Sequence, residues 1–229
     1  SSGDEIIRPG ETLGPGQVYD ANAPMLRGLI EAAGAQCIDL GVLPDERRAV
    51  QASLREAAAE YDAVISSGGA SRGDEDHVVD ALEALGSLHM WQIAIKPGRP
   101  MAFGQIGDCV HIGLPGNPVA VFVCFLLYVY PVLVRLGGGC WREPARYPLK
   151  AAFCVPNKKP GRREFWRGFL TTDDDGVLRV EKFARDGSGL ITGLCAADGL
   201  IEVGEDVTGV EEGDEVAFIP FTEFGIRRA

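Results

Sequence analysis

Between Asn22 and Gly139 the apolar positions change period repeatedly, from a helical spacing to an extended one and back. Met25, Leu26, Leu29 and Ile30 recur at helical spacing over Ala23–Ala33, and Gly34 ends the run, which predicts a helix. Gln36–Val42 reads as a buried strand. Val50, Leu54, Ala57 and Ala58 share one face of a second helix over Asp45–Tyr61, with Asp45 placed to cap it. The pattern continues with a strand at Ala63–Ser66, a glycine-rich turn, and a helix over Asp76–Leu85. Strands follow near Trp91–Ile95, at Pro100–Gly104 and at Val110–Leu114, and then a long apolar helix from Pro118. Such alternation predicts a three-layer α/β domain with a mainly parallel sheet.

At Gly137-Gly138-Gly139 the helical period stops. Residues 1–139 form the expected α/β domain, 140–148 a linker and 149–229 a second domain of short strands. Those strands are expected at Leu149–Val155, Arg163–Thr171, Val177–Phe183, Leu200–Val203 and Glu215–Ile219, with Asp175-Gly176 as a hairpin turn. A small β-barrel-like fold is the natural reading. Ser1-Ser2-Gly3-Asp4-Glu5 has the character of a loop that follows a strand, so the first strand of the sheet is expected to be missing and the sequence reads as a fragment.

Composition narrows the function classes. With 46% hydrophobic and 24% charged residues, the chain can bury a substantial core. A net charge of −11 argues against nucleic acid as the main partner, yet permits a small anion in a pocket with its own local field. The six cysteines are scattered without a C-x-x-C pair, and the three histidines share no ligand spacing; reduced thiols in a cytoplasmic protein are the expectation. Pro118–Val134 is uncharged but short for a membrane span and contains Pro131. Asn117 as N-cap with Pro118 at the first helical position makes it a buried core or interface helix, not a membrane segment.

The candidate chemistry lies in loops. Ser66-Ser67-Gly68-Gly69-Ala70-Ser71-Arg72-Gly73-Asp74-Glu75-Asp76 joins a strand to a helix. Glycines there let backbone N–H groups approach an anion, and the helix N-terminus adds its dipole. Asp74 and Asp76 stand where a phosphate would bring a divalent cation. Two stiffened turns, Lys96-Pro97-Gly98-Arg99-Pro100 and Leu114-Pro115-Gly116-Asn117-Pro118, each follow an apolar run. In doubly wound sheets ligands bind beyond the carboxyl ends of the strands, where all three loops are expected. Asp4, Glu5, Asp45 and Asp76 converge at the same edge, a repulsion that a cation would relieve; helix capping is the alternative for Asp45 and Asp76. Lys96 and Arg99 are the natural anion partners, with Arg72 in support. The alternatives are a solvated hairpin for the Lys96 turn and a rigid strand-to-helix connection for the Pro115 turn.

Taken together, Ser2-Gly3-Asp4-Glu5, the stretch QVYDAN over Gln17–Asn22, the glycine loop, IKPGRPMAFG over Ile95–Gly104 and GLPGNP over Gly113–Pro118 closely resemble the MoeA family of molybdopterin molybdenumtransferases, to which gephyrin is related. The resemblance runs along nearly the whole chain. It implies a molybdopterin-binding, MogA-like α/β domain followed by the small β domain. It implies that Glu5, Asp45 and Asp76 handle molybdate and Mg²⁺. It places adenylylated molybdopterin on Ser2, Gly3, Asp4, Asn22, Ser66, Gly68, Gly69, Ser71, Gly73, Lys96, Pro97, Gly98, Arg99, Pro100, Pro115, Gly116, Asn117 and Pro118, with Ser188 contributed by the second domain. Gln92 departs from the pattern, standing where some relatives carry a second lysine.

The implied reaction transfers molybdenum from molybdate to adenylylated molybdopterin and releases AMP, in a cytoplasmic homodimer that meets other molybdenum cofactor enzymes. Two alternatives stay open. One is the MogA-type adenylylation of molybdopterin, whose glycine loop continues into Thr-Pro-Glu where this chain has His77-Val78-Val79. The other is a non-catalytic, gephyrin-like scaffold.

Overall fold

The computed structural model describes residues 1–70, 77–185, 187 and 189–226; the expectations placed on Ser71, Gly73, Asp76 and Ser188 lie outside the described residues. The chain divides into two units, residues 1–93 with 98–140, and residues 94–97 with 141–229.

In chain order the first part comprises β1 (Ile6–Ile7), β2 (Val18–Tyr19), α1 (Asn22–Ala32), α2 (Arg47–Glu60), β3 (Ala63–Ser67), α3 (His77–Leu85), β4 (Ser87–Trp91), β5 (Ile95–Lys96), β6 (Ala102–Ile106), β7 (Cys109–Leu114), α4 (Pro118–Cys124), a π-helical turn at Phe125–Val129, and α5 (Tyr130–Leu136). The central sheet has the order β3-β7-β6-β4. Only β3–β7 is parallel; β7–β6 and β6–β4 are antiparallel, so the sheet is mixed. Short turns dictate this, because two strands joined by Gly107 leave no room for the crossover that a parallel pair needs.

Val50 and Leu54 of α2 pack with Val78 and Ala81 of α3 and with Val64 of β3 on one face of the sheet. On α4, Val119–Cys124 are buried on every side, as an all-apolar helix requires, and burial pushes the Cys124 thiol up to about 12. α5 is only half-buried. Pro118–Leu136 is apolar and long enough to match a membrane span by length and composition, with half of it buried inside the protein.

The second unit holds β5 together with β8 (Tyr147–Ala151), β9 (Arg163–Thr172), β10 (Leu178–Lys182), α6 (Thr192–Ala196), β11 (Gly199–Val203) and β12 (Glu215–Pro220). Its strands run β10-β8-β12-β11-β9, and β9 pairs back onto β10, closing a five-stranded barrel to which β5 adds in parallel. Phe153, Trp166, Val180, Ile201 and Phe218 fill the interior. The hairpin at Asp175-Gly176 forms as expected: Asp173 accepts the N–H groups of Asp175 and Val177, and Gly176 takes φ +77°.

Three sequence expectations need correction. Gln36–Val42 is not a strand: among the described residues it joins no ladder, and the next residue, Leu43, forms an isolated bridge to Ser2. Asp45 does not cap α2, which begins at Arg47 with Glu46 in the cap position and no side-chain cap bond. The Lys96 turn does not follow a strand of the α/β sheet, because β5 pairs with β9 of the second unit.

Candidate active site

The C-terminal ends of β3 and β7 are adjacent because the two strands run parallel, with Ser67 opposite Leu114. Each strand then opens into a loop whose backbone is fixed. Gly68 N–H donates to the Leu114 carbonyl at 3.1 Å, while Ser2 N–H donates to the Ser67 carbonyl at 2.9 Å. Gly68 has φ +87°, and a Cβ there would stand 2.6 Å from the Ser2 carbonyl oxygen; at Gly69 (φ +66°) it would stand 2.7 Å from a Val78 methyl. Both positions therefore demand glycine, for conformation and for space.

Asn22, the first residue of α1, ties these loops together. Its buried amide nitrogen donates to Ser67 Oγ and to the Gly116 carbonyl, each at 2.7 Å. Asp20 supports it by accepting the N–H groups of Asn22 and Ala23. The expected substrate residues Ser2, Asn22, Ser66, Gly68 and Gly116 thus stand at one edge of one sheet. Pro115 is buried, whereas Gly116 and Asn117 are exposed; Asn117 occupies the cap position of α4 without a side-chain cap bond.

The acidic residues form a clasp across the same edge. Asp4 N–H donates to Asp45 Oδ2 at 3.0 Å, Asp45 N–H donates to Asp4 Oδ1 at 3.1 Å, and Ser2 Oγ lies 3.5 Å from Asp45 Oδ1. Here Asp45 grips the Ser2–Asp4 loop in place of the helix it was expected to cap. Glu5 follows Asp4 directly and is exposed. Among the described residues no group of three His, Cys, Asp or Glu side chains gathers as a metal cage. That is compatible with Mg²⁺, which keeps several waters and takes one or two protein carboxylates, and hard carboxylate oxygens are its donor type.

The anion partners divide between the units. In the first, Arg99 donates to the Gln92 side chain at 3.2 Å; Gln92 itself sits at φ +65°, an uncommon conformation for a residue with a side chain. In the second, half-exposed Lys96 is engaged by buried Glu164, with Nζ 3.1 Å from Oε2. Trp166 Nε1 donates to the same carboxylate at 2.8 Å. Glu164 was not anticipated, since a lone acid in a strand carries no sequence signal of its own. Arg167 is a second such residue: it donates to the carbonyls of Leu190 at 2.9 Å and Gly187 at 3.3 Å, and stacks on Phe183.

His111 lies on β7 beneath the glycine loop, fully buried, with Nε2 3.5 Å from Ser66 Oγ. Burial pulls its pKa down to about 4, so the ring is neutral near pH 7.

Residues 1–135 match the family described as "Probable molybdopterin binding domain", and residues 153–221 match the MoeA C-terminal region, domain IV. The fold and the looped sheet edge therefore define an α/β domain of the probable molybdopterin-binding type joined to a MoeA-type barrel. The chain is 35% identical over 222 residues to a molybdopterin molybdenumtransferase of Haemophilus influenzae, covering 96% of this chain and 55% of that protein. It is 41% identical over 211 residues to the molybdenum cofactor synthesis protein cinnamon of Drosophila melanogaster, covering 89% of this chain and 34% of that one. A crystal structure of the molybdopterin biosynthesis MoeA protein from Pyrococcus horikosii superposes with a TM-score of 0.81 at 33% identity, covering 96% of this chain and 52% of that chain. The chain belongs to the MoeA family of molybdopterin molybdenumtransferases, and spans from about a third to just over half the length of these relatives.

Proposed function

We propose that this chain carries the pterin-nucleotide site of a molybdenumtransferase: it holds adenylylated molybdopterin at the C-terminal edge of β3 and β7 while molybdenum passes from molybdate to the dithiolene sulfurs and AMP departs. The observation that carries the reading is the Asn22 tie, which makes the Ser67–Gly68 and Pro115–Gly116 loops one rigid wall. The Gly69 N–H, at the turn after β3, would be the loop's donor to a phosphate, since the Gly68 N–H is already held by the Leu114 carbonyl. Arg99 offers a planar fork for a second anionic group.

Mg²⁺ held by Glu5 and Asp45, with Asp76, would neutralise phosphate oxygens and favour departure of AMP. The Asp4–Asp45 clasp fixes the orientation of the Asp45 carboxylate before any ligand arrives. The homodimer and the cytoplasmic setting implied by the family resemblance belong to the same proposal.

The test is AMP release from adenylylated molybdopterin with Mg²⁺ and molybdate, in a protein carrying this chain at the length of its relatives. Asp45→Ala should abolish release while costing only about 1 kcal/mol of stability, the usual worth of a hydrogen bond at a partly exposed site. Undiminished turnover in Asp45→Ala, with the fold intact, would return Asp45 to a purely structural clasp.

A further inference from the structure

The four strands of the central sheet come level with one another at one edge: Trp91 of β4 lies opposite Ala102 of β6, Ala102 opposite Gly113 of β7, and Leu114 of β7 opposite Ser67 of β3. The connection from β4 to β6 therefore leaves the sheet at the edge that carries the glycine loop and the Gly116 loop. Trp91 Nε1 donates to the Ala70 carbonyl of the glycine loop at 3.0 Å, which ties the two together. At the base of this connection the Arg99 backbone is fixed twice, its carbonyl accepting the N–H of Ile93 at 3.0 Å and of Met101 at 3.1 Å, while Gln92 N–H donates to the Met101 carbonyl at 3.1 Å. Met101 is buried, so this base cannot shift without opening the core.

Among the described residues, Gln92 alone combines a side chain with a positive φ, at +65°. In that left-handed region a Cβ crowds the backbone, and a turn alone is served better by glycine. A side chain kept on a strained backbone calls for a task of its own. Here its Oε1 accepts from Arg99 Nη2 at 3.2 Å, across the base. Arg99 is exposed, and an arginine held only by its backbone spreads its guanidinium over many rotamers. A bond to a neutral amide confines the guanidinium without cancelling its charge; a carboxylate at position 92 would do the first and undo the second.

We propose that Gln92 is a positioning residue of the anion site: it orients the Arg99 guanidinium toward an anionic group of the ligand and leaves its charge available. The inference rests on the pterin-nucleotide reading and deepens it, making Arg99 a fork set before the ligand arrives and Gln92 the residue that sets it. A role in the turn alone would ask nothing of the amide oxygen. Methionine, of similar length but without an oxygen acceptor, would then serve as well.

Equilibrium binding of adenylylated molybdopterin with Mg²⁺ tests it, in a protein carrying this chain at the length of its relatives. The variants are Gln92→Met, Gln92→Glu, Arg99→Ala and the double variant Gln92→Met with Arg99→Ala. Arg99→Ala should weaken binding at least about tenfold, the loss of a charge-assisted bond. Gln92→Met should weaken it about fivefold, the cost of ordering one long side chain on binding, and Gln92→Glu by at least as much, both with an unchanged urea midpoint. In the double variant the Gln92→Met loss should vanish, because no guanidinium remains to be oriented. Parental binding in either Gln92 variant, with Arg99→Ala weakened, would overturn the inference and leave the site reading in place. So would losses that add in the double variant, since Gln92 would then act on its own. Parental binding in Arg99→Ala would remove Arg99 from the site and overturn the inference together with that part of the reading.

Discussion

The four-stranded sheet of the first unit and the barrel of the second solve the same problem in opposite ways. The barrel closes β9 onto β10, so each of its five strands has two neighbours within the ring. The sheet ends at β3 on one side and β4 on the other, and its polar loops are held by side-chain ties rather than by closure. Closure removes edges and leaves little backbone to offer a ligand. An open sheet keeps backbone groups available at its rim, and pays for that with buried polar side chains such as Asn22 and His111. Stability should therefore depend on apolar packing in the barrel and on polar ties in the sheet.

The sharpest test of the first half is Phe218→Ala. Phe218 is fully enclosed in the barrel, so the variant should lose about 3–5 kcal/mol in denaturant unfolding, a transfer plus cavity cost. In the sheet the largest effect is set by pH. The pKa of His111 is about 4 folded against 6.5 when unfolded, so between these values the unfolded chain binds more protons. Its contribution is present in full above pH 6.5 and is lost as pH falls toward 4, on the order of 3 kcal/mol in all. His111→Leu should flatten that part of the stability–pH curve, measured by urea unfolding at each pH; an unchanged slope would mean that other groups govern it.

Asn22→Ala removes both 2.7 Å ties at once and should cost about 2 kcal/mol, with faster hydrogen exchange in the Ser67–Gly68 and Gly116 loops but not in the barrel. Gly68→Ala should cost about 1–2 kcal/mol from its positive φ, and should also push Ser2 away from Ser67. If either change destabilised the barrel strands equally, the contrast between the two units would fail.

Much of this contrast was legible in the residues. The apolar spacing of Leu26 and Ile30 placed α1 within one residue at each end, and the Asp175-Gly176 turn placed the β9–β10 hairpin. The glycine loop was legible because Gly68 and Gly69 are needed where no Cβ fits. What escaped depends on contacts distant in sequence. Gln36–Val42 has strand character, but a strand exists only with a partner, and pairing is not encoded locally. The capping role assigned to Asp45 failed because Asp4, far away in the chain, competes for its carboxylate. The same holds for Lys96: the turn was visible, whereas its buried partner Glu164 on β9 was not.

The most direct measurement of the central claim maps where the pterin nucleotide binds. Amide chemical shifts of the chain should be followed during titration with adenylylated molybdopterin and Mg²⁺. The account predicts that the largest shifts fall on Asn22, Ser67, Gly68, Gly69 and Gly116, and that Asn22→Ala reduces them. Saturable binding whose shifts leave these five amides unmoved would contradict it.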